Sequence, residues 1–228
     1  LEAHAGRFHV DRLEVDGVDG QRAAFLVGVL LIDLDLFETG GIAGIASYGG
    51  TIQSCVNDGT VQGTTNVGGI VGYTQSQATK IENCLNTGTL KATAANGIVG
   101  GIIGQAEYAT TITSSFVDCS ITPVSTSKVG GIVGNATVAI TITYCGAKVN
   151  VTATASTVQP FYNAASGVTV TCNDSYSLVN NKGTQINRIT ATNSGMDGKF
   201  GMIPTIHDGL PVPLGIYHVS QYGTTTGI

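Results

Sequence analysis

Tryptophan is absent from this sequence, and charge is scarce. Only 11% of its 228 residues are Asp, Glu, Lys or Arg, against the roughly 25% usual in soluble domains. The few Lys and Arg are scattered and the net charge is −5, which excludes general nucleic-acid binding, because that needs a basic face to neutralise phosphates. Long apolar runs are also missing. The longest, Ala23 to Ile32, falls short of the about 20 residues a membrane span requires. It lacks the basic leader and small-residue cleavage site of a signal peptide. The chain therefore reads as soluble and without a membrane span, and any export signal is expected to lie outside this sequence or to have been removed.

Familiar chemical motifs are missing as well. His4, His9, His207 and His218 are all terminal, and none stands near a Ser or Cys in a readable triad pattern. No CxxC or CxH spacing suggests zinc. The Gly-rich runs lack the Gly-Lys-Ser/Thr of a phosphate loop and the strand–GxGxxG–helix context of a dinucleotide site.

What the sequence does have is glycine, 32 residues, arranged with a period. GGIAG, GGIVG, GGIIG and GGIVG begin at Gly40, Gly68, Gly100 and Gly130, and a degenerate fifth copy, QPFYN, occupies Gln159 to Asn163. Periods of this length mark solenoids or arrays. A second block follows each: TIQSCVNDGTV from Thr51, KIENCLNTGTL from Lys80, TITSSFVDCSI from Thr111, TITYCGAKVNV from Thr141 and a looser TVTCNDSYSLV from Thr169. Alternation and β-branched residues favour strands, broken by Gly, Asn and Asp. Each unit contains three short β-like pieces, shown by GIVGY, KIENC and GTLKA.

Three strands of about four residues bury nothing alone. Coiled into a rung and stacked at about 4.8 Å, they form parallel sheets with equivalent side chains in columns. The expected fold is an all-β parallel β-helix or β-solenoid of about five rungs over residues 40–180. Three inward columns are predicted: Ile42, Ile70, Ile102, Ile132 and Phe161; Ile52, Ile81, Ile112, Ile142 and Val170; Val61, Leu90, Ile121, Val151 and Val179. The paired glycines suit a corner with positive φ or close backbone packing. Asn57-Asp58-Gly59 and Asn86-Thr87-Gly88 suit a second corner. Residues 1–39 read as an N-terminal cap or an abbreviated first rung, since FLVG at Phe25 echoes GIVG. Residues 181–228, with three of the five prolines, read as a C-terminal cap or tail of hairpins and turns.

The blocks GGIVGY and KIENCLNTGTL resemble the Glug repeat, a Gly-rich unit of large bacterial surface and secreted proteins, many described as adhesins. Copies two and four fit best. The third departs at Ser115 and Cys119, and the fifth lacks the glycines. The resemblance implies a β-solenoid scaffold and an extracellular or cell-surface location. It carries no binding residues over, because its motif marks core and corner positions.

Several residues suggest chemistry. Cys55, Cys84 and Cys145 share a repeat position, Cys172 lies close to it, and Cys119 falls in the column of Gly59 and Gly88. Stacked neighbours stand about 4.8 Å apart whereas disulfide Cβ atoms want about 3.8 Å, so a reduced, buried cysteine ladder is expected; a single disulfide, a metal site or a nucleophile are the alternatives. Asp11, Glu14, Asp16 and Asp19 could chelate calcium, though Asp-Gly turns explain them without the EF-hand spacing. Asp33 and Asp35 read as the wet face of a strand or as a glycosidase-like pair. The TIT and TVT triplets at Thr111, Thr141 and Thr169 could stack as a flat threonine ladder of the ice-binding kind, but the first two copies read TIQ and KIE. Tyr48, Tyr73, Tyr108 and Tyr144 could stack on sugars. Asn135, Asn150 and Asn173 begin glycosylation sequons.

None of these forms a catalytic, cofactor-binding or metal-ligating set, so no site residue and no cofactor is assigned. The expected function is a non-enzymatic extracellular or cell-surface module, adhesin-like or scaffolding, with a glycan or a host or matrix protein as partner. The alternatives are a structural subunit polymerising head to tail through its solenoid ends, and a carbohydrate-active β-helix enzyme.

Overall fold

A computed structural model describes residues 32–33, 38–47, 49–173, 175–179, 200–202 and 211–213. The expected parallel β-solenoid is observed, with about four full turns between the first and last copies of a strand. The first rung holds β2 (Glu38–Gly40), β3 (Ala43–Ala46), β4 (Gly50–Gln53), β5 (Val56–Asn57) and β6 (Thr60–Gly63); β1 (Ile32–Asp33) precedes it and pairs with β6. The second rung repeats the order as β7 (Asn66–Gly68), β8 (Val71–Thr74), β9 (Thr79–Glu82), β10 (Leu85–Asn86) and β11 (Thr89–Ala92). The third has β12 (Ile98–Gly100), β13 (Ile103–Ala106), β14 (Thr110–Thr113) and β15 (Phe116–Thr122); the fourth has β16 (Lys128–Gly130), β17 (Val133–Ala136), β18 (Ile140–Thr143) and β19 (Gly146–Val151). The fifth comprises β20 (Thr157–Gln159), β21 (Tyr162–Ala164), β22 (Val170–Asn173) and β23 (Tyr176–Val179).

Each rung therefore has four sides, not the three expected. The first sheet stacks β2, β7, β12, β16 and β20; the second β3, β8, β13, β17 and β21; the third β4, β9, β14, β18 and β22; the fourth collects the remaining strands through β23. The first sheet escaped notice because a three-residue strand such as Asn66–Gly68 is too short to show alternation. Stacking solves the problem of such short strands: each carbonyl finds the amide of the neighbouring rung, as in Ile70 N–H to Ile102 C=O at 3.0 Å.

The core columns run as expected through most of the coil. Ile70, Ile102 and Ile132 are fully buried, and Ile42 and Phe161 continue their column half-buried at the ends. Ile52, Ile81, Ile112 and Ile142 pair in register, as do Ile32, Val61, Leu90, Ile121 and Val151. Each fully buried Ile or Leu contributes roughly 1.5–3 kcal/mol. The fifth rung corrects two assignments. Cys172, not Val170, follows Ile142, and Val170 aligns with Ile140. Val179 aligns with Val149, not Val151. The cause is a longer turn: five residues, 165–169, separate β21 from β22, where three, 137–139, separate β17 from β18. Gly167, at φ +80°, makes that turn possible.

The paired glycines act through close approach. None of the eight has a left-handed φ. A Cβ on Gly68 would collide with the Val71 carbonyl oxygen, and one on Gly69 with the Gly101 carbonyl of the next rung. The third glycine of the motif does the same between sheets: a Cβ on Gly104 would lie 2.6 Å from the Gly72 oxygen and 2.8 Å from the Val67 nitrogen. The expected second corner also changes character. Asn57 and Asn86 bend the fourth sheet in the first two rungs, splitting β5 from β6 and β10 from β11. Asn57 Nδ2 donates to Asn86 Oδ1 at 2.8 Å, and Asn86 Nδ2 donates to the Gly101 carbonyl. Where Val117 and Ala147 replace these asparagines, β15 and β19 run unbroken.

The fourth sheet is covered on its outer face as well. Phe116 and Leu85 alternate with the core residues Val117 and Asn86, so they point outward, yet they are 0% and 2% exposed. Phe116 lies over Gly146, where a Cβ would strike its ring. An antiparallel pair, β24 (Phe200–Met202) and β25 (Pro211–Pro213), supplies β25 against β15. Most of the expected C-terminal cap, residues 181–228, lies outside the described residues.

Candidate functional site

The three cysteines that share a column do not form a reactive group. Cys55, Cys84, Ser115, Cys145 and Ser175 occupy one column, immediately before the register-paired residues Val56, Leu85, Phe116, Gly146 and Tyr176. Each follows a left-handed residue or its equivalent: Ser54, Asn83, Ser114 and Tyr144 have φ between 48° and 55°. Each also donates to the carbonyl two residues back, for example Cys84 Sγ to Glu82 at 3.3 Å, Ser115 Oγ to Thr113 at 2.9 Å and Ser175 Oγ to Asn173 at 2.8 Å. The serines accept in turn from the rung below: Cys84 N–H to Ser115 Oγ and Cys145 N–H to Ser175 Oγ, both 3.1 Å. The column satisfies backbone at a strained corner. All five cysteines are free thiols. Burial raises the thiols of Cys84, Cys119 and Cys172 and lifts Cys145 to about 12. The hydrogen bond between Cys55 and Cys84 lowers Cys55 and adds to the rise at Cys84. A buried thiol held protonated is a poor nucleophile. Cys172 stands in the isoleucine column instead of beside the other cysteines, and Cys119 takes the position beside Gly88, as read from the sequence.

The third sheet presents two outer columns: Thr51, Lys80, Thr111, Thr141 and Thr171, and Gln53, Glu82, Thr113, Thr143 and Asn173. Threonines thus stack in register across rungs three and four, but the fifth rung contributes Thr171 and Asn173; Thr169 precedes the strand. The ladder is short and flanked by a Lys and a Glu.

On the second sheet Tyr73 donates to Glu107 Oε2, and Gln105 Nε2 reaches the other carboxylate oxygen at 2.5 Å. Burial, this hydrogen bond and the Glu107 charge push the Tyr73 phenol to about 12. Tyr108 is exposed nearby, whereas Tyr144 sits in the left-handed corner; the tyrosines share no column. Asn135 is buried, and Asn150 and Asn173 are exposed. Tyr48, Asp11, Glu14, Asp16, Asp19, Asp35 and all four histidines lie outside the described residues, as does the side chain of Asp33. Among the described residues, no three His, Cys, Asp or Glu side chains come together as a metal site.

One concave feature departs from the repeat. A cleft of about 510 Å³ opens at the fifth rung, lined by Lys128, Thr157, Gln159, Phe161, Tyr162 and Asn163 among others. Here the motif glycines are replaced by Gln159, Pro160 and Asn163. The replacement is tolerated because β21 meets β17 with an irregular register. The Asn163 amide donates 2.9 Å hydrogen bonds to the carbonyls of Val129 and Gly134 in the rung below. The sequence signalled this site only as a degenerate copy.

No family model and no curated protein matches the chain. Among solved structures, a Bacteroides ovatus protein described as a "putative immunoglobulin A1 protease" is similar, with a TM-score of 0.46 and 22% identity, over 78% of this chain and 53% of that one. The chain thus spans about half the length of that neighbour.

Proposed function

We propose that this protein is a non-enzymatic extracellular or cell-surface module of the adhesin type, a rigid Glug-like solenoid that presents a binding surface. One observation carries this reading: most of the repeated residues serve core and corners, while an outward column such as Gln53, Glu82, Thr113, Thr143 and Asn173 changes along the coil. A scaffold whose regular positions hold the coil and whose outer positions vary is suited to recognition. The scarcity of charge fits a glycan or a host or matrix protein better than a nucleic acid. The test is adhesion of the purified full chain, immobilised on beads, to mammalian cells, matrix proteins and glycan arrays, with products assayed in parallel. Retention on one of these without turnover supports the reading; turnover of a glycan or peptide overturns its non-enzymatic part.

Self-assembly is favoured by a separate observation. Among the described residues, the outer edges of β20, β21 and β22 at one end, and of β2, β3 and β4 at the other, have no further strand paired to them. Parallel edges of matching cross-section can add head to tail and make a filament. Light scattering and electron microscopy over a range of concentration test this; a monomer at every concentration sinks it.

A further inference from the structure

We propose that the fifth-rung cleft binds a carboxylate-bearing sugar residue of a glycan. The inference rests on the adhesin reading and deepens it by naming a site and a ligand class. The cleft's size lies within the roughly 300–1,000 Å³ typical of small-ligand sites. Its chemistry is mixed in the way a sugar requires. Phe161 and Tyr162, both half-buried, stand where lower rungs carry Ile132 and Val133. Aromatic rings offer an apolar platform for the C–H face of a pyranose, with a hydroxyl at one edge. Exposed Gln159 and Thr157 supply donors and acceptors for sugar hydroxyls. Both Asn163 Nδ2 hydrogens are committed to Val129 and Gly134, which orients its oxygen and leaves it as an acceptor held in place before binding.

The sign of the ligand's charge follows from Lys128. Its side chain is exposed and lies in the column of Thr157 and Ile98. Among the described residues, no carboxylate lines the cleft. In a chain of net charge −5, this cleft therefore carries the opposite sign, and an ammonium on its wall favours an anion. A carboxylate meets it by a charge-assisted hydrogen bond. Sialic and uronic acids share this chemistry.

The test titrates the full chain, by calorimetry and by NMR, with an oligogalacturonate, with sialyllactose and with neutral lactose. Binding of at least one acidic glycan and not of lactose is expected, weakened by added salt. K128A and Q159A, both at exposed positions, should each weaken it, K128A by roughly tenfold or more, as loss of a hydrogen bond to a charged group implies; K128R should retain it. Preference for sialyllactose or for oligogalacturonate identifies the source of the carboxylate. Equal binding of lactose, unchanged affinity in K128A, or no binding of either acidic glycan overturns the proposal. If the chain still adheres to cells or matrix in that case, the site is wrong and the adhesin reading stands; if it adheres to nothing, both fail.

Discussion

The backbone N–H of Cys84 donates to the Oγ of Ser115, one rung above it and in the same column, at 3.1 Å. Cysteine and serine interchange in this column because each can donate to the carbonyl two residues back and accept an amide from the rung below. The column is a backbone device first and a set of thiols second. The first prediction tests that order. Ser115→Ala removes an acceptor and a donor at a fully buried position and should destabilise by about 1–3 kcal/mol. Ser115→Cys restores the residue type of rungs one, two and four and should stay within about 1.5 kcal/mol of the parent. Urea denaturation of both variants measures the difference; equal losses would refute the hydrogen-bonding role.

Burial that holds the thiols protonated makes stability depend on alkali. The Cys145 thiol is raised from an ordinary 9.0 to about 12. The unfolded chain therefore loses this proton first as pH rises. The stabilising contribution is complete below about pH 9 and is lost as pH climbs towards 12. Thiol labelling of the native protein, read by mass spectrometry, should modify Cys172, the one half-buried cysteine, before the other four. Early labelling of Cys84 or Cys145 would contradict their burial.

Glycine at the motif and the glycine that opens β4 are required for different reasons, and alanine separates them. Gly68→Ala places a Cβ against the Val71 carbonyl and the Gly104 amide, and should cost about 3 kcal/mol or more. Gly50→Ala meets no atom within 4 Å but must adopt φ +108°, and should cost about 1 kcal/mol. Thermal melts rank the two. A larger loss at Gly50 would mean that φ, not close approach, explains the repeat's glycines.

The asparagine pair predicts a non-additive effect. Asn86→Val leaves the Gly88 amide, the Asn57 amide and the Gly101 carbonyl without their partner, and should cost on the order of 3 kcal/mol. Adding Asn57→Val removes one of the stranded groups, so the double variant should lose less than the sum of the singles. Strict additivity in a denaturation cycle would show that the two side chains are independent.

Tyr73 should titrate late among the eight tyrosines. Its phenol is raised from 10.0 to about 12, so its hydrogen bond to Glu107 holds below about pH 10 and is lost as pH approaches 12. Tyrosinate absorbance of the parent and of Glu107→Gln resolves it: the variant removes the charge and should bring Tyr73 down. No shift between the two would sever the link.

Much of the fold was legible from residues alone. Ile81, Ile112 and Ile142 stand where the period places them, and the Ile70 column follows from the glycine motif. Legibility failed in two circumstances. The first sheet was missed because Asn66–Gly68 is too short to carry a pattern. The fifth rung slipped by two residues, because a longer turn at Gly167 moves every partner after it while leaving composition unchanged. The cleft was illegible for a related reason: Gln159, Phe161, Tyr162 and Asn163 read as a decayed repeat until stacking showed that they line one opening.

By itself, the sequence determined the period, the solenoid class, most core columns and the reduced cysteines. These depend on near-identical units stacking on copies of themselves, so local pattern and tertiary contact coincide. Tertiary structure alone decided the four-sided rung, the role of Cys84 and Ser115 as backbone partners, the burial of Phe116 on the outward side of the fourth sheet, and the cleft beside Lys128. Each of these depends on residues about one rung apart or more in sequence, and only the register of neighbouring rungs settles which atoms meet.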